Sequence, residues 1–440
     1  PYATHLRTLR RRYDAALAAT GFDAVIVGAG LPVGVFGDDQ DYPYRVEPRF
    51  AQWAPLLAHP GSLLGYRPGH RPQLCVYAPD DFWHQAAPVP AGEWQALIDI
   101  HPVRDRRLAA RLLGRLLGRG RTALLGDPRQ WQRLGLGAAV NPRALVTHLD
   151  YDRAVKSAWE VDNIRRANLL GIRAHEAVAG GFAQGLSEYE LGLVFLAACG
   201  QTDAELPYPA IIAANENGAT LHYQHRRRER LAGTRRRSLL VDAGCSVAGY
   251  ASDITRTHAA RRGDFATMVE DTERAQQRLC RLVTPGARFG DLQLAAHREI
   301  AGLLARWELV RMAPEDIVDA RITDHFFPHG LGHLLGLQVH DVGGDLAGPA
   351  GGSLPKPDRF PRLRLTRSLE PGYVVTIEPG IYFIDTLLAK LRRSRHARRI
   401  DWRRIDALRP CGGIRIEDDV LVTEDGCENL TRGAAAAAAA

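Results

Sequence analysis

The chain has 440 residues, 45% of them apolar, and a net charge of +7, so two domains are expected, each with enough apolar content for its own core. Its longer apolar runs, such as residues 122–126 and 239–241, fall far short of the roughly 20 residues that cross a bilayer, and no apolar stretch follows the arginines of residues 1–12, so neither a membrane span nor a secretory signal is expected. The positive charge is arginine dispersed in short runs at 226–230, 235–237 and 391–404, without the single basic face and interleaved aromatics that nucleic acid requires, so no nucleic-acid partner is expected.

Leu6, Leu9, Tyr13 and Leu17 recur at helical spacing, and Gly21 followed by the apolar run 24–27 predicts helix, turn and buried strand. Strands are predicted again at 73–78 and 122–125, the second after a helical pattern over 108–117. This alternation makes residues 1–156 a small α/β domain. Between 31 and 58 stand Asp38, Asp39, Asp41, Tyr42, Tyr44, Phe50 and Trp53, which fit either a surface segment packed by its own aromatics or a functional rim.

A new pattern begins near Lys156. Val161, Ile164, Ala167, Ile172, His175, Val178 and Phe182 describe a long amphipathic helix closed by Gly185, and Ser187 with Glu190 three residues later is a capping box for the next helix. The second domain is therefore placed at 157–433. Strands follow near 211, 221, 239–242 and 250–257, helices over 264–284 and 290–306, and later strands at 374–378 and 414–422. Two halves of like order suit a pseudo-symmetric α+β sheet with helices on one side. The Gly- and Pro-rich segment 342–361 is expected to be an irregular loop, and the alanine run 434–440 a frayed low-complexity end without function. The six cysteines are scattered without paired spacing, as expected of reduced thiols in a cytoplasmic protein.

The chemistry-bearing residues collect in this second domain. Asp242 ends an apolar run, Asp253 follows eleven residues on, and Glu378 and Glu417 each end or interrupt a later apolar strand. A lone carboxylate in such a place needs a cation or several donors, and adjacent carboxylates repel unless something positive lies between them. The stretch Phe327–Asp341 adds His329, His333 and His340 among glycines, and from the residues alone all three imidazoles are candidate metal ligands. Oxygen-rich ligation of this kind suits two hard divalent ions, Mn²⁺ ahead of Co²⁺, Zn²⁺ or Fe²⁺, and a pair of ions that acidifies a water performs hydrolysis.

Asp242, Asp253, His333, Glu378 and Glu417, with their flanking motifs, resemble the five-ligand dinuclear site of the pita-bread metallopeptidases, and the likeness to the bacterial Xaa-Pro dipeptidases extends over Asp38–Phe50, residues 82–84, Pro207–Tyr223 and the insert between Glu378 and Glu417. The resemblance implies a C-terminal pita-bread domain behind the smaller α/β domain, in an α+β fold. It implies a dipeptidase that cleaves Xaa-Pro dipeptides by attack of a metal-bridging hydroxide, with a side activity on organophosphate triesters. Asp242 would chelate one ion, His333 and Glu378 the other, and Asp253 and Glu417 would bridge. Of the three histidines only His333 then remains a ligand.

Further roles follow from the same resemblance. Glu378 would move the proton from water to the leaving proline nitrogen, and His340 or His222 would polarise the scissile carbonyl. His329 would meet the substrate, Arg367 would clamp its C-terminal carboxylate with Arg364 as the fallback, and Arg415 would orient the metal carboxylates or touch substrate. Tyr208 would line the pocket or simply pack beside Pro207 and Pro209. In a homodimer Asp39 and Trp83 would sit at the rim of the other subunit's site. The loop 342–361 and Cys245 depart from the family's usual pattern and bear on pocket shape. The alternatives are an aminopeptidase P type enzyme acting on longer peptides and a non-catalytic pita-bread binding module.

Overall fold

In the computed structural model, which describes residues 1–83, 85–136 and 139–439, strand Ala24–Gly28 shows how the first unit is built. Successive strand side chains face opposite ways, and here both faces are apolar. Val25 and Val27 join Leu6, Leu9, Tyr13 and Leu17 of helix Tyr2–Thr20 in one core, whereas Ala24 and Ile26 join Leu113 and Leu117 of helix Arg106–Leu117 in a second. The sheet runs in the order Asp99–Val103, Gln73–Tyr77, Leu63–Tyr66, Ala24–Gly28, Thr122–Leu125. Its two outer pairings are parallel, and both pairings of Leu63–Tyr66 are antiparallel. That four-residue strand is too short to carry a periodic signal in the sequence.

The chain divides into two compact units, Pro1–Asn163 with Ala248–Tyr250 and Leu346–Ser353, and Ile164–Val247 with Ala251–Asp345 and Leu354–Ala440. The division falls within helix Ala158–Gln184.

In the second unit Ser187 caps helix Glu188–Cys199 and Glu190 returns the bond, as a capping box should. Strands Ile211–Ala214, Ser238–Asp242 and Thr255–Ala259 form one antiparallel sheet with Ser238–Asp242 in the middle. Helices Asp264–Cys280 and Phe289–Arg306 follow, and then strands Val374–Ile377, Asp418–Val422 and Cys427–Asn429 form a second sheet. Helices then sheet, twice over, is the repeated order read from the sequence. Residues 331–335 lie along Val374–Ile377 as an irregular edge, through the backbone bonds Thr376 N to His333 O at 3.0 Å, Leu335 N to Val374 O at 2.9 Å and Glu378 N to Leu331 O at 2.8 Å.

Three expectations change. The residues near Leu221 form a turn after the short helix Asn215–Ala219, not a strand. The strand expected over 414–422 is broken: Gly413–Arg415 pairs with Gly380–Tyr382, while Asp418–Val422 pairs with Val374–Ile377. The two segments stay partners in one register on both sides, Ile377 opposite Asp418 and Gly380 opposite Arg415, and the ladder is interrupted where Pro379 has no N–H to donate and Glu417 bridges to Thr255. The alanine run is not wholly frayed: helix Leu430–Ala439 buries Ala434 beside Ile172 and Ile254.

Candidate metal centre

The breaks in regular structure deliver the acids to one place. Asp242 is the last residue of its strand and lies opposite Thr255, so Asp253 enters two residues before the partner strand begins. Glu378 follows Ile377 where its strand stops, and Glu417 occupies the gap between Arg415 and Asp418. Two glycines permit the crowding. A Cβ on Gly332, next to His333, would lie 1.9 Å from the Thr376 carbonyl oxygen, and one on Gly244 would lie 1.8 Å from that of Ser252, so no other residue fits either place.

Asp253, His333 and Glu417 each offer a ligand atom within 4.8 Å of the others, and all three are buried. His333 Nε2 lies 3.4 Å from Asp253 Oδ2 and 4.0 Å from Glu378 Oε1. Its Nδ1 donates to the Leu334 carbonyl at 3.0 Å, which fixes the proton there and leaves the Nε2 lone pair facing the acids. Glu417 Oε2 accepts from Thr255 Oγ1 at 2.6 Å, and Asp253 Oδ1 from the Tyr208 hydroxyl at 2.5 Å. Asp242 Oδ2 accepts from Arg415 Nη2 at 2.5 Å, while its Oδ1 is buried with no hydrogen-bond partner among the described residues.

Electrostatics state the same demand. Burial and the negative charges of Asp253 and Asp242, against His333 and Arg415, push the Glu378 carboxyl up to about 7. Burial together with Asp253, Glu378 and Asp242 raises Glu417 well above the carboxylate range, and burial and Asp253 raise Asp242 in spite of Arg415. Burial alone would lower His333, but Asp253 and Glu378 outweigh it and raise the imidazole. Carboxylates crowded this closely repel until a cation enters. The orphaned Asp242 oxygen, the oriented Nε2 and four acids form a donor set that fits hard divalent ions.

Around this core His329 is held neutral. Its Nδ1 donates to the Gly330 carbonyl at 2.8 Å and its Nε2 accepts from the Tyr382 hydroxyl at 2.8 Å. Burial and the nearby Arg415 pull its pKa down to about 3. That Tyr382 hydroxyl accepts in turn from Arg415 Nη1 at 2.9 Å, and Arg415 Nε donates to Thr255 Oγ1 at 3.2 Å. His340 is exposed, with its ring edge-on to His333 at 4.4 Å, and partial burial, His333 and Arg364 lower its pKa to about 4. His222 is exposed on the turn after residues 215–219, close enough for its charge to act on His329 and His340.

Arg367 does not fit the role of carboxylate clamp. Its side chain is 4% exposed, and its guanidinium pairs with Glu370 at 2.8 Å and lies over the Tyr373 ring. Alternation along the segment turns Arg364 outward instead, exposed and within electrostatic reach of His340. Asp39 and Trp83 belong to the first unit, where both are exposed and the Trp83 ring lies tilted against Phe82 at 4.8 Å. His84, in the same motif, lies outside the described residues.

Two participants were not singled out from sequence. Tyr382 is one, although in Glu378-Pro-Gly-Ile-Tyr it stands four residues past the acid and so on the acid's side of an extended chain. Asp419 is the other. It is fully buried, and its Oδ2 accepts from the Asp253 backbone N–H at 3.0 Å and from Asn168 Nδ2 at 2.8 Å.

Residues 162–424 match metallopeptidase family M24, and residues 1–151 match the N-terminal domain of Xaa-Pro dipeptidase. The chain is 44% identical over 439 residues to the Xaa-Pro dipeptidase of Stenotrophomonas maltophilia, covering 99% of this chain and 98% of that protein. It is 43% identical to the Xaa-Pro dipeptidase of Aeromonas hydrophila, covering 98% of each. Among solved structures it is similar to aminopeptidase PepP of Pseudomonas aeruginosa, with a TM-score of 0.70, 26% identity and coverage of 99% and 97%. The low-pH form of Escherichia coli aminopeptidase P, at 24% identity over 98% and 95% of the two chains, shares the fold with a TM-score of 0.71.

Proposed function

The chain belongs to metallopeptidase family M24, and from that premise we propose that it is a dipeptidase hydrolysing Xaa-Pro dipeptides, those with proline at the C-terminus. The observation that carries the reading is the buried cluster of Asp253, His333 and Glu417 within 4.8 Å, flanked by Asp242 and Glu378. Near full-length similarity to proteins named Xaa-Pro dipeptidase, first domain included, supports the dipeptide in preference to longer peptides.

Asp242, Asp253, His333, Glu378 and Glu417 would hold two divalent ions, with Mn²⁺ favoured by the oxygen-rich donor set. When bound, the ions supply Lewis acidity to a water and to the scissile carbonyl. Glu378 takes the proton of the attacking water and delivers it to the proline nitrogen as the C–N bond breaks. His340, edge-on to His333, is the better placed of the two imidazoles for the carbonyl oxygen, with His222 beside it. Neutral His329, fixed by Tyr382 and Gly330, faces the substrate, and Arg415 orients Asp242. Arg364 receives the C-terminal carboxylate through a charge-assisted fork, and Tyr208 steadies Asp253.

The same reading places the enzyme in the cytoplasm as a homodimer. The exposed aromatics Phe36, Tyr42, Phe82 and Trp83, with Asp39 among them, are the rim a second copy would cover. Turnover of an organophosphate triester would draw on the same site, and no turnover of such a triester by the Mn²⁺ form would exclude that side activity.

The test compares Ala-Pro with Ala-Pro-Ala on the Mn²⁺-loaded protein. Ala-Pro is expected to be cleaved at least about a hundredfold better, since the tripeptide leaves Arg364 without a carboxylate at the right distance. Equal or better cleavage of the tripeptide removes the dipeptidase reading in favour of an aminopeptidase.

A further inference from the structure

The first unit carries a concentration of positive charge that the peptidase reading does not use. An open cavity of about 470 Å³ is lined by Arg104, Arg106, Arg107 and Arg133, together with Leu31 and the ring of Tyr77. Its volume is that of sites for small organic ligands. Arg104 is paired with Asp80 at 2.6 Å. No carboxylate among the described residues forms an ion pair with Arg106, Arg107 or Arg133, and Asp105, the acid in the lining, is committed to capping its helix through the Arg107 N–H at 2.7 Å.

The arrangement is costly as it stands. Arg106 lies over Tyr77 at 4.4 Å from the ring centre, and its Nε is buried with no hydrogen-bond partner among the described residues. A buried donor left without a partner is destabilising. Arg106 and Arg107 also open helix Arg106–Leu117, whose first turn has no acidic side chain. There they stand at the positive end of the helix dipole, which the capping Asp105 carboxylate offsets only in part. Four guanidinium groups against one lining carboxylate, Asp105, leave the cavity net positive, and it gains most from an anion with several oxygens.

We propose that this cavity binds a small organic phosphate. Planar guanidinium forks match phosphate oxygens, while Tyr77 and Leu31 give the organic part an apolar floor. The inference is independent of the peptidase chemistry. AMP titrated into the Mn²⁺-loaded protein in a calorimeter is expected to bind saturably with a Kd below about 1 mM. The double variant Arg107→Gln/Arg133→Gln is expected to weaken it at least about tenfold, the loss of one or two charge-assisted bonds. Both residues are exposed, so the ligand-free variant is expected to melt no lower than the parent, and Ala-Pro turnover is expected to be unchanged. Inorganic phosphate should bind at least about fivefold more weakly than AMP, for want of the apolar contact. No saturable binding to the parent, equal AMP affinity in the double variant, or phosphate binding as tight as AMP each overturns the proposal.

Discussion

Arg415 donates from Nη2 to Oδ2 of Asp242 at 2.5 Å, and both groups are almost wholly enclosed, the arginine side chain 5% and the aspartate 14% exposed. The pair leaves the other Asp242 oxygen without a hydrogen-bond partner among the described residues, so in the proposed site Arg415 would set the direction in which Asp242 coordinates. Arg415→Lys keeps the charge but cannot serve Asp242, Thr255 and Tyr382 together. It is expected to weaken Mn²⁺ binding about 10–100-fold, as loss of a partner behind a metal ligand does, while Arg415→Ala leaves a buried unpaired acid and costs about 3–5 kcal/mol of stability. Metal titration and denaturant unfolding read the two effects separately.

Tyr382→Phe removes only the hydroxyl between His329 and Arg415. Two groups lose a partner in an enclosed place, and a loss of about 1–3 kcal/mol is expected in urea unfolding of the metal-free protein. Activity should fall through kcat/KM, because His329 is no longer held. An unchanged unfolding midpoint would show that the hydroxyl is replaced by water.

Glu417→Gln separates metal binding from folding. The Glu417 carboxyl is driven toward its protonated form by burial and by Asp253, Glu378 and Asp242, and glutamine has nearly the shape of a protonated glutamate. The metal-free variant is therefore expected to melt at or above the metal-free parent, since a carboxylate is removed from a repelling group. The stabilisation that Mn²⁺ gives the parent should be largely lost, because a ligand of the folded state stabilises only by binding it. A variant destabilised without metal would contradict the electrostatic account.

Arg364 and Arg367 are predicted to part company on substitution. Arg364→Ala should raise KM for Ala-Pro by about 10–100-fold, the worth of a charge-assisted bond of about 1.5–3 kcal/mol, with the melting point unmoved. Arg367→Ala removes a buried side chain from Glu370 and Tyr373 and should cost about 1–3 kcal/mol of stability. The opposite pattern in steady-state kinetics and thermal melts would restore Arg367 as the clamp.

Stability should also depend on pH through two histidines buried neutral. Burial, with Arg256 and His258 adding to it, lowers His175 to about 3, its Nε2 donating to the Ala243 carbonyl at 2.9 Å. Burial and Arg359 lower His297 to about 3, its ring stacked on Phe360 at 5.0 Å. The unfolded imidazoles titrate near ~6.5. Between pH 6.5 and 3 the unfolded chain thus binds more protons than the folded one, and stability falls as pH falls, by up to about 1.4 kcal/mol per pH unit for each histidine. His297→Gln should flatten urea-derived stability against pH by one proton's slope in that window, and an unchanged slope would assign the loss elsewhere.

Much of this molecule was legible in its residues. The helix 2–20, the capping box at Ser187 and the acids Asp242, Asp253, Glu378 and Glu417 sit where hydrophobic period and strand ends put them, because each depends on local pattern. Arg367 and Arg364 show the limit. Three residues apart, they fall on opposite sides of an alternating segment, but alternation alone does not say which side faces the core, and it is packing against Glu370 and Tyr373 that marks the Arg367 side as inward. Tyr382 and Asp419 were hidden for the same reason. Their partners, His329 for one and the backbone of Asp253 for the other, lie 53 and 166 residues away in the chain, and a pair across that distance leaves no local mark. The break at Glu417 was missed because Ile414, Ile416 and Val420 read as one alternating strand, whereas the ladder is interrupted opposite Pro379, which has no N–H to donate.

The central claim is a site for two divalent ions that drives hydrolysis of Xaa-Pro dipeptides. Calorimetric titration of the metal-stripped protein with Mn²⁺, with Ala-Pro hydrolysis followed at each addition, tests it most directly. Activity is expected to be absent in the stripped protein and restored as about two equivalents bind per chain. Saturation with fewer than two ions at full activity, or hydrolysis that survives complete removal of metal, would contradict it.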